Sequence, residues 1–138
     1  MGIRVKNLHN YMMVLSASGT LTAAADKACA MVPFNGFITN VAAVIGTAGS
    51  GATNTVLDVN YNGTTIFGAA TKITLASTTG VATYSTLSST PFSVTAGSII
   101  TLDADSVPTA GACAAVRITI SRTPPYNASN LVDHDAVV

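Results

Sequence analysis

Leu57-Asp58-Val59-Asn60-Tyr61-Asn62-Gly63-Thr64-Thr65-Ile66-Phe67 decides the fold class of this 138-residue chain. Leu57, Val59 and Tyr61 alternate with Asp58 and Asn60, a period of two that gives a strand one apolar face and one wet face. Asn62-Gly63 follows, and both residues tolerate the positive φ of a tight hairpin turn. Thr64 to Phe67 is therefore the return strand. Upstream, Phe37, Thr39, Val41, Ala43 and Ile45 alternate with Ile38, Asn40, Ala42 and Val44, which predicts a strand with both faces largely buried. Downstream come Ile73 to Ala76, Val81 to Leu87 and Phe92 to Thr95, separated by Gly80, Pro91 and Gly97. Ile100, Leu102 and Ala104 then oppose Thr101, Asp103 and Asp105. Ala114, Val116, Ile118 and Ile120 oppose Ala115, Arg117, Thr119 and Ser121 in the clearest half-buried strand of the chain.

Helical signals are weak. Ala23 to Ala28 could hold one turn, but no window sustains the i, i+3, i+4, i+7 pattern. A parallel α/β architecture is excluded, because no crossover helices are available. About eight short strands broken by Gly, Pro and Asn predict an all-β fold, an antiparallel β-sandwich of jelly-roll type. The sandwich spans residues 11–123, with an extended N-terminal arm at 1–10 and a C-terminal tail at 124–138. In the arm, Ile3 and Val5 alternate with Arg4 and Lys6 as if to add a strand to something. In the tail, Pro124-Pro125 cannot continue a central strand.

Charge is scarce: six Lys or Arg and six Asp, no Glu, and no charged residue between Ile73 and Leu102. Nine per cent charged residues, against about 25% in an ordinary soluble domain, leaves too little to coat a self-sufficient surface. Other protein is expected to cover much of it. The six cations, Arg4, Lys6, Lys27, Lys72, Arg117 and Arg122, form no basic stripe, so direct nucleic-acid binding is not expected. No apolar run approaches the roughly 20 residues of a membrane-spanning helix. Tyr11 to Leu15, placed after Arg4 and Lys6, imitates a secretory leader, although the run is short for one. Lys6 stands where a myristoylation signal needs Ser or Thr.

Chemistry-bearing residues are few. Cys29 and Cys113 match no zinc or Cys-x-x-Cys spacing and are read as small reduced core side chains. A disulfide between a first and a last strand is the alternative. His9 lies in the arm and His134 in the tail; Asp133-His134-Asp135 alone cannot surround an ion. No Gly-x-Ser-x-Gly elbow is present. Asp103 and Asp105 share a face and, with Asp58, could hold calcium, but side by side they do not face each other across a substrate as glycoside hydrolysis requires. A hydrated strand face is the simpler reading. Gly46 to Gly51 lacks the Lys-Ser/Thr ending of a phosphate loop and leads into a strand, so it is a connection. Asn62-Gly63-Thr64 and Asn127-Ala128-Ser129 match the glycosylation triplet. Tyr11, Tyr61, Tyr84 and Tyr126 are assigned to core or interface packing. No catalytic, cofactor or metal residues are predicted, and the chain is not read as an enzyme.

Val32 to Val41, Leu57 to Phe67, Phe92 to Asp105 and Val116 to Ile120 resemble small β-domains of tailed-phage virion proteins. The likeness covers roughly residues 11–123. Among such proteins, a short chain with an arm and a tail looks most like a capsid decoration, or cement, protein of double-stranded DNA bacteriophages. The resemblance implies a trimer seated where capsomers meet on the exterior of the phage head, assembled in the host cytoplasm. It also implies the major capsid protein as partner and no catalytic residues. The expected docking residues are Ile3, Arg4, Val5, Lys6 and Asn7 in the arm, and Leu131, Val132, Val137 and Val138 in the tail. The alternative is a phage tail or fibre module that binds host-surface carbohydrate.

Overall fold

The computed structural model of the chain describes residues 10–68, 71–76, 83–84, 86–89 and 91–122. Its strands are β1 (Asn10–Thr20), β2 (Ala24–Met31), β3 (Gly36–Thr47), β4 (Thr55–Tyr61), β5 (Thr64–Thr65), β6 (Ile73–Leu75), β7 (Thr83–Tyr84), β8 (Phe92–Val94), β9 (Ile99–Ser106) and β10 (Ala112–Ser121). They form two packed sheets in an all-β sandwich, with no helix among the described residues. The front sheet runs β1-β10-β3-β7 with β8 also on β3, and the back sheet runs β2-β9-β4-β5 with β6 also on β4. Every pairing between strands is antiparallel.

The period-two rows account for the packing. Met13 and Leu15 of β1, Val41, Ala43 and Ile45 of β3, and Val116, Ile118 and Ile120 of β10 point inward from the front sheet. Leu57 and Val59 of β4, with Ile100 and Leu102 of β9, complete the core from the back. Each of these side chains apart from Ala43 contributes about 1.5–3 kcal/mol when fully buried. The predicted hairpin is present: Asn62 and Gly63 take φ of 48° and 83°, and Tyr61 pairs with Thr64. The regular return strand ends at Thr65. Beyond it, the Ile66 N–H still donates to the Val59 carbonyl at 2.9 Å, and Phe67 bridges to Leu87.

Several expectations are corrected. β3 is not buried on both faces: its register against β10 steps from Asn40↔Thr119 to Ile38↔Ile120, leaving Thr39 as an inserted residue. That bulge reverses the alternation, so Ile38 joins Val41, Ala43 and Ile45 inside while Thr39 and Val44 stay exposed. The turn of helix considered at Ala23 to Ala28 belongs to β2. Its irregularity there is a register shift between Ala24 and Ala28, with Asp26 at a φ of 53°. The run Tyr11 to Leu15 lies in β1, an 11-residue strand of the expected sandwich. It starts at Asn10, one residue inside the expected arm. Of the segment Val81 to Leu87, the described residues include the short β7 and the bridge at Leu87. Cys29 and Cys113 are free and exposed, on different sheets, and neither is a core residue.

Urea unfolding checks two substitutions. Ile118→Ala, in the middle of the core, is expected to cost about 2–5 kcal/mol. Thr55→Val is expected to stabilise by about 1 kcal/mol, since the fully buried Thr55 hydroxyl has no hydrogen-bond partner.

Candidate assembly interface

The outward face of the back sheet is a closed polar network. Asp58 and Asp103 are directly opposed on β4 and β9, an arrangement that is unfavourable for two carboxylates left alone. Protein donors resolve the conflict. Asp58 accepts from the Thr65 hydroxyl and forms an ion pair with the Lys72 ammonium at 2.8 Å, while Asp105 accepts from the same ammonium at 2.6 Å. Asp103 accepts from the Asn60 side-chain amide at 2.7 Å and from the Asp26 backbone N–H at 2.8 Å. The sequence brings together the trio considered for calcium, but the cation between Asp58 and Asp105 is Lys72. Asp58 is only 4% exposed, so the face of β4 expected to be wet is sealed at its centre. No group of three His, Cys, Asp or Glu side chains suited to a metal occurs among the described residues.

Charge is divided unequally between the two sheets. Among the described residues, all four aspartates and both lysines lie on or beside the back sheet, leaving it two charges negative. The front sheet carries only Arg117 on β10 and Arg122 just beyond it. Across its outward face, Met12 stands opposite Thr119 and then Asn40. Val14 stands opposite Arg117 and then Ala42. Met12 and Val14 are 62% and 61% exposed, and Val44 is exposed as well.

Among the described residues β1 is also the edge of the front sheet, bonded to β10 in unbroken register from Asn10 to Ala17. Soluble proteins blunt such edges with charges, prolines or bulges. β2, the corresponding edge of the back sheet, has all but the proline: Asp26, Lys27 and the register shift between Ala24 and Ala28. β1 carries no charge and no proline, and its own register shift falls between Ala17 and Thr20. The sequence offered a signal for this, the absence of any charged residue between Lys6 and Asp26, but the continuous apolar run Met12 to Leu15 obscured the strand.

The residues expected to dock, Ile3, Arg4, Val5, Lys6, Asn7, Leu131, Val132, Val137 and Val138, lie outside the described residues. So do His9, Asp133, His134, Asp135 and Tyr126. Their attachment points are adjacent, because Asn10 pairs with Ser121. An aromatic cluster marks this end: the Tyr11 and Phe34 rings meet edge-on at 6.2 Å, and the Arg122 guanidinium lies 4.2 Å over Phe34. Tyr61 is half-buried, edge-on to Phe92. Its hydrogen bond with Ser98, assisted by the Thr95 N–H, holds the phenol below its ordinary pKa. Gly46 to Gly51 is a connection as expected, joining β3 to β4. No protein-family model, curated protein or solved structure matches the chain.

Hydrogen bonding to Asp105 and then Asp58 raises the Lys72 pKa well above its ordinary value. A lysine pKa raised by folding stabilises fully below the unfolded value of about 10.4, and the contribution is lost as pH rises through the folded value. Lys72→Met should therefore destabilise at neutral pH, by about 1–3 kcal/mol given its partial exposure. Thermal melts at neutral pH and above pH ~10.4 check this: the difference between wild type and variant should shrink at the higher pH.

Proposed function

We propose that the chain is a structural virion protein, a jelly-roll capsid cement protein that binds the outer face of a phage head. In this role it bridges neighbouring major capsid proteins and resists the outward pressure of packaged DNA. One observation carries the reading: among the described residues six of the eight charged side chains lie on or beside the back sheet, and β1, the outer strand of the front sheet, carries none. Such a molecule suits a boundary, with one side towards water and the other towards protein.

Two features support it. Successive strands β1 to β4 alternate between front and back, and β9 and β10 return to lie between them, giving the orders β1-β10-β3-β7 and β2-β9-β4-β5. Double-sheet jelly rolls have this kind of order and recur in viral capsid and lectin domains. The adjacency of Asn10 and Ser121 lets residues 3–7 and 131–138 attach at one end of the sandwich. Residues 3–7 would extend a capsid sheet through backbone hydrogen bonds, and residues 131–138 would form a second contact. Each contact raises the effective concentration for the next, so weak contacts combine into a firm clamp. No cofactor, membrane or nucleic acid takes part.

Two measurements test the proposal. Quantitative mass spectrometry of purified virions should find this chain in numbers comparable with the major capsid protein; a handful per particle would assign it to the tail instead. Deleting residues 1–9 should weaken binding to capsids by about tenfold or more, with the melting temperature unchanged because β1 is left whole. Undiminished binding would remove the arm from the mechanism.

A further inference from the structure

We propose that Asn62 is a deamidation site gated by the fold: its side-chain amide is converted to a carboxylate only when the β4–β5 hairpin opens and lets go of Ser98 and Ile99. The hairpin turn does more than reverse the chain. Tyr61 pairs with Ile100, so Asn62 falls opposite Ile99 and its N–H donates to the Ile99 carbonyl at 2.9 Å. In a regular antiparallel pair the Ile99 N–H would donate back to the Asn62 carbonyl. It donates to the Asn62 side-chain Oδ1 at 3.0 Å, and Nδ2 of the same amide donates to the Ser98 hydroxyl at 3.3 Å. That hydroxyl is also hydrogen-bonded to the Tyr61 phenol. The Asn62 side chain thus closes the end of the β4–β9 ladder.

The same residue is open to attack by its own backbone. Asn62 and Gly63 are exposed, and nothing lies within 4 Å of where a Gly63 Cβ would stand, so no side chain shields the peptide nitrogen between them. That nitrogen, its proton lost to hydroxide, forms a bond to Asn62 Cγ. The Cγ–Nδ2 bond breaks, and the amine leaves as ammonia after taking a proton from water. Water then opens the resulting cyclic imide at one of its two carbonyls, leaving aspartate or isoaspartate. One water is consumed and one ammonia is released.

The folded turn forbids the first step. Ring closure needs Asn62 Cβ and the Gly63 nitrogen on the same side of the Cα–C bond. With φ of 48° and 83°, Asn62 and Gly63 form a type I′ turn, whose first central residue has ψ of about +30°. That value sets the nitrogen almost opposite Cβ. Attack therefore waits for a large rotation of ψ, which separates Tyr61 from Thr64 and pulls the amide off β9. The rate becomes the intrinsic chemistry multiplied by the fraction of time the hairpin is open. Isoaspartate adds a methylene to the backbone, so a two-residue turn cannot reform around it and the opening leaves a permanent mark.

Peptide mapping by mass spectrometry of the full chain, incubated in mildly alkaline buffer with and without urea, tests the gate. Asn62 should convert at least about tenfold more slowly in the folded chain than in the unfolded one. Ser98→Ala removes the hydroxyl but leaves the backbone bonds of Ser98 to Val32 and Thr95 in place. It should speed conversion in the folded chain about two- to tenfold, the weight of one hydrogen bond in the opening equilibrium, and leave the rate in urea unchanged. Equal rates in folded and unfolded wild type would overturn the proposal. So would an Asn62 that stays intact in urea, or a folded Ser98→Ala chain that converts no faster than wild type.

Discussion

Ala114, Val116, Ile118 and Ile120 of β10 fill the centre of the core while the two sides of the same strand bond β1 and β3, so the front sheet is held largely through this one segment. The back sheet has the same plan, with β9 between β2 and β4 and its Ile100, Leu102 and Ala104 turned inward. The last two long strands of the chain thus lock between strands laid down earlier. Most pairings join residues far apart in sequence, which makes loop-closure entropy a large opposing term during folding. Gly36 shows how tight the join is: a Cβ there would collide with the Ser121 carbonyl oxygen.

With the core assured by this interlocking, the remaining problem is solubility. A chain with so few charges could scatter them evenly or concentrate them. Among the described residues six of eight charges lie on or beside the back sheet, and the opposed Asp58 and Asp103 are tolerable because Lys72, Thr65, Asn60 and the Asp26 N–H supply the compensating donors. The residues that make the back sheet polar are thereby committed to one another. The front face is left with Arg117 and Arg122, and exposed apolar side chains occur on both sheets, Met12, Val14 and Val44 on the front and the paired Met31 and Ile99 on the back.

Alternation alone made β4, β9 and β10 legible, and Asn62-Gly63 fixed the hairpin, because in each case the local pattern and the tertiary environment agree. Reading failed where they diverge. At β3 an inserted Thr39 reverses the alternation, and a bulge leaves no mark on composition. At β2, alanines compatible with either structure lie around a left-handed Asp26, and only pairing with β9 makes them a strand. At β1 no strand was assigned, because Met12 to Leu15 is a continuous apolar run with no alternation to read. Asp58 looked wet because the residue that covers it, Lys72, lies 14 positions away in sequence. The exposure of Cys29 and Cys113 also depends on the outward side of each strand, which spacing does not reveal.

The sandwich has two unlike ends. One carries the Asn10–Ser121 pair, while the other carries the Gly-rich connection after β3, where Ser50 bridges to Thr109 and Gly51, Ala52 and Thr53 are exposed. Exposed loop tips accept insertions with little thermodynamic cost. A foreign peptide spliced between Gly51 and Thr53 would point away from whatever grips the opposite pole, making the fold a natural platform for displaying cargo.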